Sequence, residues 1–181
     1  MEEEDAVRSR YGAPGSNPLK ATFVEEIQAT LQTDSSDIEF VRERPDVMIL
    51  IDTLTLRVEV DVRPVFIYGR YIKNSREIPQ TRWPCRSCRG RKGGCEACES
   101  SGLQYLDSVQ DLIGRPFVTG MGALDTAFHG MGREDIDVRC LGGGRPFVLE
   151  VKSPRSRSPE LSDYESRISS TCGGRVEVKS R

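Results

Sequence analysis

The stretch "FHGMGREDIDVRCLGGGRPFVLEVK", from Phe128 to Lys152, decides how the second half of the chain is read. It sets Arg133, Glu134, Asp135 and Asp137 almost side by side, then a glycine triplet at 142–144, then a run ending Glu150-Val151-Lys152. Glycine supplies the positive φ that a tight turn needs. The pattern therefore predicts a β-hairpin, with strands over 137–141 and 145–151 joined at the glycines. Two chemistries fit the carboxylates. An aspartate beside an arginine is a candidate nucleophile. Asp137 with Glu150 and Lys152 on adjacent strands has the pattern of a magnesium-dependent nuclease. A charged hairpin that only faces water requires no chemistry.

Upstream, "LKATFVEEIQATLQ" (19–32) predicts an amphipathic helix, because Phe23, Ile27 and Leu31 fall one turn apart. "DVMILID" (46–52), the alternating "LRVEVDV" (56–62) and "VFIYGRYI" after Pro64 predict strands. The acidic start followed by "GAPGSNP" predicts a disordered tail over 1–17. Past the cysteines, "SVQDLIGRPF" (108–117) predicts a helix capped by Asp107 or Ser108 and stopped by Pro116. The segment from Lys152 to Gly174 is polar and is expected to be mobile, with the strand "RVEVKSR" after it. A sheet opened so close to Arg181 suggests a fragment of a longer protein.

With 36% hydrophobic and 30% charged residues in 181, the composition is that of a soluble globular protein of one large or two small domains. No apolar run is long enough to span a bilayer, and the acidic start lacks the apolar core of a secretory signal. The expected compartment is the cytoplasm. There, clustered cysteines serve as metal ligands more often than as disulfides. Cys85-x-x-Cys88 and Cys95-x-x-Cys98 present two pairs of sulfurs at the spacing of a closed structural zinc site. Cys140 and Cys172 lack such partners, and Cys140 is expected to pack as a small apolar residue. His129, the single histidine, is read as structural.

The net charge of −2 conceals a polarised chain. Residues 1–62 hold 14 acids against 6 bases, whereas residues 63–92 hold nine bases and one acid, Glu77. That basic block contains Arg63, Arg70, Lys73, Arg76, Arg82, Arg86, Arg89, Arg91 and Lys92, interleaved with Phe66, Tyr68, Tyr71 and Trp83. Cations attract phosphate and aromatics stack on unpaired bases, so the block is a candidate RNA grip; a solvated basic face is the plain alternative.

"FIYGRYIKNSREIPQTRWPCRSC", "GCEACESSGLQY", "HGMGREDIDVRCLGGGRPFVLE" and "KSPR" together resemble the archaeal and eukaryotic family of tRNA pseudouridine synthases that act on the T-loop. The resemblance covers roughly residues 60–155. It implies an α+β protein, with a zinc-containing THUMP-like accessory domain over 18–106 and the N-terminal part of the catalytic domain over 107–181. It implies conversion of the adjacent T-loop uridines 54 and 55 of tRNA to pseudouridine without an organic cofactor. Asp135 matches the family's catalytic aspartate, and Arg133 is expected to pair with it. The tRNA T-arm would lie on Arg70, Lys73, Arg76, Arg82, Arg86, Arg89, Arg91 and Lys92. No protein partner or membrane is implied. The alternatives are a zinc-containing tRNA-binding module without catalysis, and the nuclease built on Asp137, Glu150 and Lys152.

Overall fold

The computed structural model describes residues 2–11 and 17–179, which divide into two units at Pro45. The first unit holds α1 (Glu2–Tyr11) and α2 (Leu19–Asp34). Residues 2–11 of the expected disordered tail are therefore helical, with Arg8 paired to Glu4 one turn earlier at 2.6 Å. Helix α2 follows the expected 19–32 segment and runs two residues further. Its apolar spacing is as read, but none of its residues is buried.

The second unit begins with a separate antiparallel hairpin, β1 (Val47–Asp52) and β2 (Arg57–Val62), paired from Val47↔Val62 to Asp52↔Arg57. Both strands lie where the apolar runs predict them. The Asp52 carboxylate accepts the Leu54 and Thr55 amides at 2.9 and 3.2 Å and closes the turn between them.

A four-stranded antiparallel sheet follows, in the order β4 (Asp125–Gly130), β5 (Cys140–Lys152), β3 (Val65–Lys73), β6 (Val176–Lys179). Alternation along the strands sends Ile67 and Tyr71 of β3, Phe128 of β4, Phe147, Leu149 and Val151 of β5 and Val176 of β6 into one core. Helices α3 (Val109–Met121) and α4 (Leu161–Thr171) supply the other half of that core. Val109, Leu112, Ile113, Phe117 and Met121 recur along α3 at helical spacing, and each is buried. Fully burying such a side chain contributes roughly 1.5–3 kcal/mol. The expected division at 106/107 runs through this core, since β3 lies between β5 and β6. The cysteine segment is an excursion between β3 and α3.

Three expectations are corrected here. The glycine triplet is not a hairpin turn: β5 is one strand across it. Tyr71 pairs with Arg145 and Lys73 with Cys140, so β5 carries extra residues that bulge outward. Gly144 has a φ of +72°, and a Cβ there would meet the Tyr71 carbonyl oxygen at 2.9 Å. The true hairpin partner of β5 is β4, which the sequence reading does not assign.

Pro116 does not end α3, which continues to Met121 and ends on Gly122. A proline inside a helix deprives the carbonyl four residues earlier of its N–H donor. That carbonyl is Leu112's, and the Cys172 thiol lies 3.6 Å from it as a donor. The Ser108 cap is as read: its side chain accepts the Asp111 amide at 3.1 Å.

The third correction concerns the polar segment after Lys152, which contains α4. Tyr164, Ile168 and Cys172 are buried, and the Tyr164 ring stacks on Phe117 at 4.2 Å with 2° between planes. Ile168→Ala should therefore lower unfolding free energy by about 2–5 kcal/mol in a urea titration. A mobile segment would leave the midpoint unchanged.

Candidate functional site

The loop joining β4 to β5 carries the charged stretch, and its neighbouring acids face opposite ways. Glu134 is turned inward, with 3% of its side chain exposed, whereas Asp135 is exposed. The Tyr71 hydroxyl donates to the Glu134 carboxylate, with its oxygen 2.8 and 2.7 Å from Oε1 and Oε2. Gln80 Nε2 donates to the Tyr71 hydroxyl at 2.8 Å, to the Gly132 carbonyl at 3.0 Å and to Glu134 Oε2 at 3.3 Å. Arg145 Nε lies 3.0 Å from Glu134 Oε2 as an ion pair. Burial pushes the Tyr71 hydroxyl well above the ordinary tyrosine range; Gln80 opposes this and Glu134 adds to it. Tyr71 thus stays a neutral donor at physiological pH.

The loop backbone is held from below. Lys73 is fully buried, and its Nζ donates to the carbonyls of Asp135 and Ile136 at 3.2 and 3.0 Å. Burial lowers its pKa, while Glu134, Asp137 and Cys140 partly restore it. The Glu77 amide donates to the Ile136 carbonyl at 2.9 Å, and Arg76 Nη1 to the Asp137 carbonyl at 2.6 Å. Among the described residues nothing pairs with the Asp135 carboxylate itself. The loop therefore offers two exposed carboxylates without an ion pair or hydrogen bond among the described residues, Asp135 and Asp137, on a fixed backbone.

Several residues named from sequence take other places. Arg133 does not pair with Asp135; its guanidinium lies over the Trp83 ring, 5.6 Å from the centroid. The buried ion pair uses Arg145 and Glu134 instead. Lys73 is sealed under the loop and cannot reach RNA. Arg82 is bound to Asp111 at 2.7 Å and to Asp125 at 2.8 Å. Arg70 donates to the Gly143 and Gly144 carbonyls, both at 2.7 Å, and braces the bulge. Arg76, Arg86, Arg89, Arg91 and Lys92 remain exposed.

The nuclease set is not assembled. Asp137 precedes β5, whereas Glu150 and Lys152 sit near its far end; Cys140 pairs with Lys73 and Glu150 with Phe66, seven positions apart on β3, or roughly 23 Å. Glu150 is instead 2.9 Å from His129 Nε2. One strand replaces the expected return of a hairpin, so the three side chains never converge. Sequence reasoning also missed Tyr71, Gln80 and Arg145, whose meeting with Glu134 depends on the β3–β5 pairing.

The four knuckle cysteines do converge. Their sulfurs all lie within 4.8 Å of one another, with Cys85–Cys95 at 3.9 Å, Cys88–Cys98 at 3.9 Å and Cys95–Cys98 at 3.7 Å. A tetrahedron with metal–sulfur bonds of about 2.3 Å has edges of about 3.8 Å, so the residues fit a tetrahedral dication. Burial raises the Cys98 thiol, but the amides of Cys95 and Gly102, 3.2 and 3.3 Å away, outweigh it and bring it to about 6. Burial drives Cys95 up to about 11. Gly94 adopts a φ of +62°, and a Cβ there would collide with the Ser100 backbone, so the knuckle requires glycine.

The family model described as "Pus10, C-terminal" matches residues 66–180, which include the four-stranded sheet, the cysteine cluster and the charged loop. The chain belongs to the Pus10 family. The tRNA pseudouridine synthase Pus10 of Methanothermobacter marburgensis is 52% identical over 137 residues, covering 75% of this chain and 34% of that protein. Pus10 of Methanothrix thermoacetophila is 50% identical over 163 residues, covering 90% of this chain and 35% of that protein. Pus10 of Korarchaeum cryptofilum is 38% identical over 179 residues, covering 99% and 47%. The chain thus spans less than half the length of these relatives.

The contrast between the two neighbouring acids is testable without any substrate. Glu134→Ala removes the acceptor of the buried Tyr71 hydroxyl and the ion-pair partner of half-buried Arg145, and should cost about 1–3 kcal/mol. Asp135→Asn at an exposed position should change stability by no more than about 0.5 kcal/mol. Thermal melts of the two variants check the difference, and equal melting temperatures would contradict the inward–outward arrangement.

Proposed function

We propose that this chain is the part of a tRNA pseudouridine synthase that carries the catalytic aspartate, Asp135, together with a structural zinc. The observation that carries the reading is the free Asp135 carboxylate on a backbone pinned by Lys73, Arg76 and the Glu77 amide. The Pus10 relatives are tRNA pseudouridine synthases, and this supplies the reaction class.

The reaction is an isomerisation. The uridine N1–C1′ bond breaks, the uracil turns, a bond from its C5 to the ribose C1′ forms, and the C5 proton is lost while N1 takes up a proton. Atoms and electrons balance with no oxidant or reductant, and no organic cofactor is needed. Asp135 either adds to the sugar carbon or removes a ribose proton to open the glycal route. In both cases the group must be ionised, accessible and fixed in place, since misplacement by about 1 Å costs on the order of 100-fold. The base must leave the loop stack to reach it. Substrate uridines at T-loop positions 54 and 55 and a cytoplasmic location belong to this proposal.

Arg86, Arg89, Arg91 and Lys92 sit on the exposed cysteine knuckles, and Arg76 lies beside the loop; these cations would hold the T-arm. Arg133 on Trp83 adds a cation–aromatic surface next to Asp135. The THUMP-like accessory part, residues 18–106, would include helix α2, the β1–β2 hairpin and the cysteine knuckles. Among the described residues no helix is long and apolar enough to cross a membrane.

Zinc, held by Cys85, Cys88, Cys95 and Cys98, would tie the knuckles together and take no part in the reaction, since its four positions are filled by sulfur. Purified, reduced protein should contain one zinc per chain by elemental analysis, and Cys95→Ser should lose both the metal and knuckle stability. Protein free of bound metal would contradict the assignment.

The catalytic reading is tested in the full-length protein. Asp135→Asn keeps the side-chain shape and removes the charge. It should abolish pseudouridine formation in unmodified tRNA while leaving tRNA affinity within about twofold, because phosphate contacts supply most of the affinity. Asp137→Asn should remain active. Full activity of Asp135→Asn would overturn the proposal.

A further inference from the structure

Between α3 and α4, on the helical side of the sheet, lies a cavity of about 320 Å³. Arg115, Arg167, Arg175, Thr119 and Thr171 line it over an apolar floor that includes Leu112. Three arginines, each partly open to solvent, line one concavity and make it electropositive. Only part of that charge is balanced within the fold. The Asp107 carboxylate holds Arg115 at 2.9 Å through one oxygen and Arg175 at 2.9 Å through the other. One carboxylate for two guanidiniums leaves an excess, and Arg167 adds to it without an ion pair among the described residues.

The guanidiniums are also fixed in place. Arg115 donates to the Leu106 carbonyl at 3.2 Å, and Arg175 Nε to the Cys172 carbonyl at 3.2 Å. Arg167 lies over the Tyr164 ring, 5.5 Å from its centroid. Side chains already ordered by such contacts lose little freedom on binding an anion. Guanidinium forks match phosphate oxygens. The volume exceeds that of a bare phosphate, and the apolar floor suits a sugar.

We propose that this cavity is a phosphodiester site, a contact for the tRNA backbone separate from the cation-rich cysteine knuckles. The proposal rests on the tRNA reading of the preceding section. It adds a second anchor, so that the RNA is held from the helical side as well as from the knuckles. Arg167 is the residue whose removal tests it, because Arg115 and Arg175 also serve the Asp107 pair.

The experiment uses this chain and labelled unmodified tRNA, titrated at several salt concentrations. Arg167→Ala should weaken binding by roughly 3- to 10-fold at 0.1 M salt and reduce the slope of log affinity against log salt by about 0.7–0.9. Lys179→Ala, an exposed cation on β6, removes one positive charge elsewhere and should leave both values unchanged. Arg167→Lys should recover most of the slope. Identical behaviour of Arg167→Ala and Lys179→Ala overturns the site. Absence of tRNA binding by the parent chain overturns it too. If inorganic phosphate shifts the Thr119 and Thr171 amide resonances while tRNA affinity ignores Arg167, the cavity binds free phosphate and the RNA assignment is wrong. Loss of tRNA affinity in Arg167→Ala alongside an active Asp135→Asn would keep the cavity and remove the catalytic reading; the opposite pair of results would do the reverse.

Discussion

A buried carboxylate organises this structure. Glu134 reaches the interior because Tyr71 and Gln80 donate hydrogen bonds to it there and Arg145 stands beside it as an ion pair. Taking a carboxylate out of water is expensive, and it is tolerated when hydrogen bonds reach it and a cation stands beside it. Each partner comes from a different place: a central strand, the segment that follows it, and the strand returning after the loop. The carboxylate can be satisfied only when β3 and β5 are in register. Tyr71 pairs with Arg145 across that register, which brings both against Glu134. Fold and loop conformation are thus one constraint.

The consequence for chemistry is directional. With Glu134 drawn inward, the next side chain is turned out. Lys73, buried beneath the chain, holds the carbonyls of Asp135 and Ile136, so Asp135 is exposed while its backbone is tied down. A reacting group on a loop ordinarily gives up precision for access. Here two buried charges of opposite sign, one on the loop and one on β3, restore the precision. Lys73, though it sits within the basic block, serves the loop from below, while Arg76, Arg86, Arg89, Arg91 and Lys92 stay exposed.

Much of this was legible in the sequence, and the illegible part has identifiable causes. The alternating runs at 46–52, 56–62 and 65–72 became strands because alternation is a local property. The cysteine spacing became a cluster because each CxxC turn is local as well. The glycine triplet misled because positive φ serves a bulge as readily as a turn, and only the partner strand distinguishes them. Pro116 misled because the lost hydrogen bond is compensated by Cys172, 60 residues beyond Leu112 in the chain. Helix α4 was hidden by its polar composition; two buried residues, Tyr164 and Ile168, are enough to dock it. Lys73 and Arg82 read as surface cations because their partners, the loop carbonyls and Asp111 with Asp125, are distant in sequence. Arg133 was assigned to Asp135 by proximity along the chain, whereas the ion pair formed with Arg145 from the neighbouring strand.

The central claim is that the Asp135 loop is held as rigidly as the sheet beneath it. Native-state amide hydrogen exchange measures this directly at Glu77 and Val138, whose N–H groups donate to the carbonyls of Ile136 and Asp135. The account predicts that both amides exchange nearly as slowly as the central amides of β3 and β5, and that Lys73→Met accelerates them while the sheet amides keep their protection. Fast exchange of both in the unmodified chain, at the rate of an open loop, would contradict it.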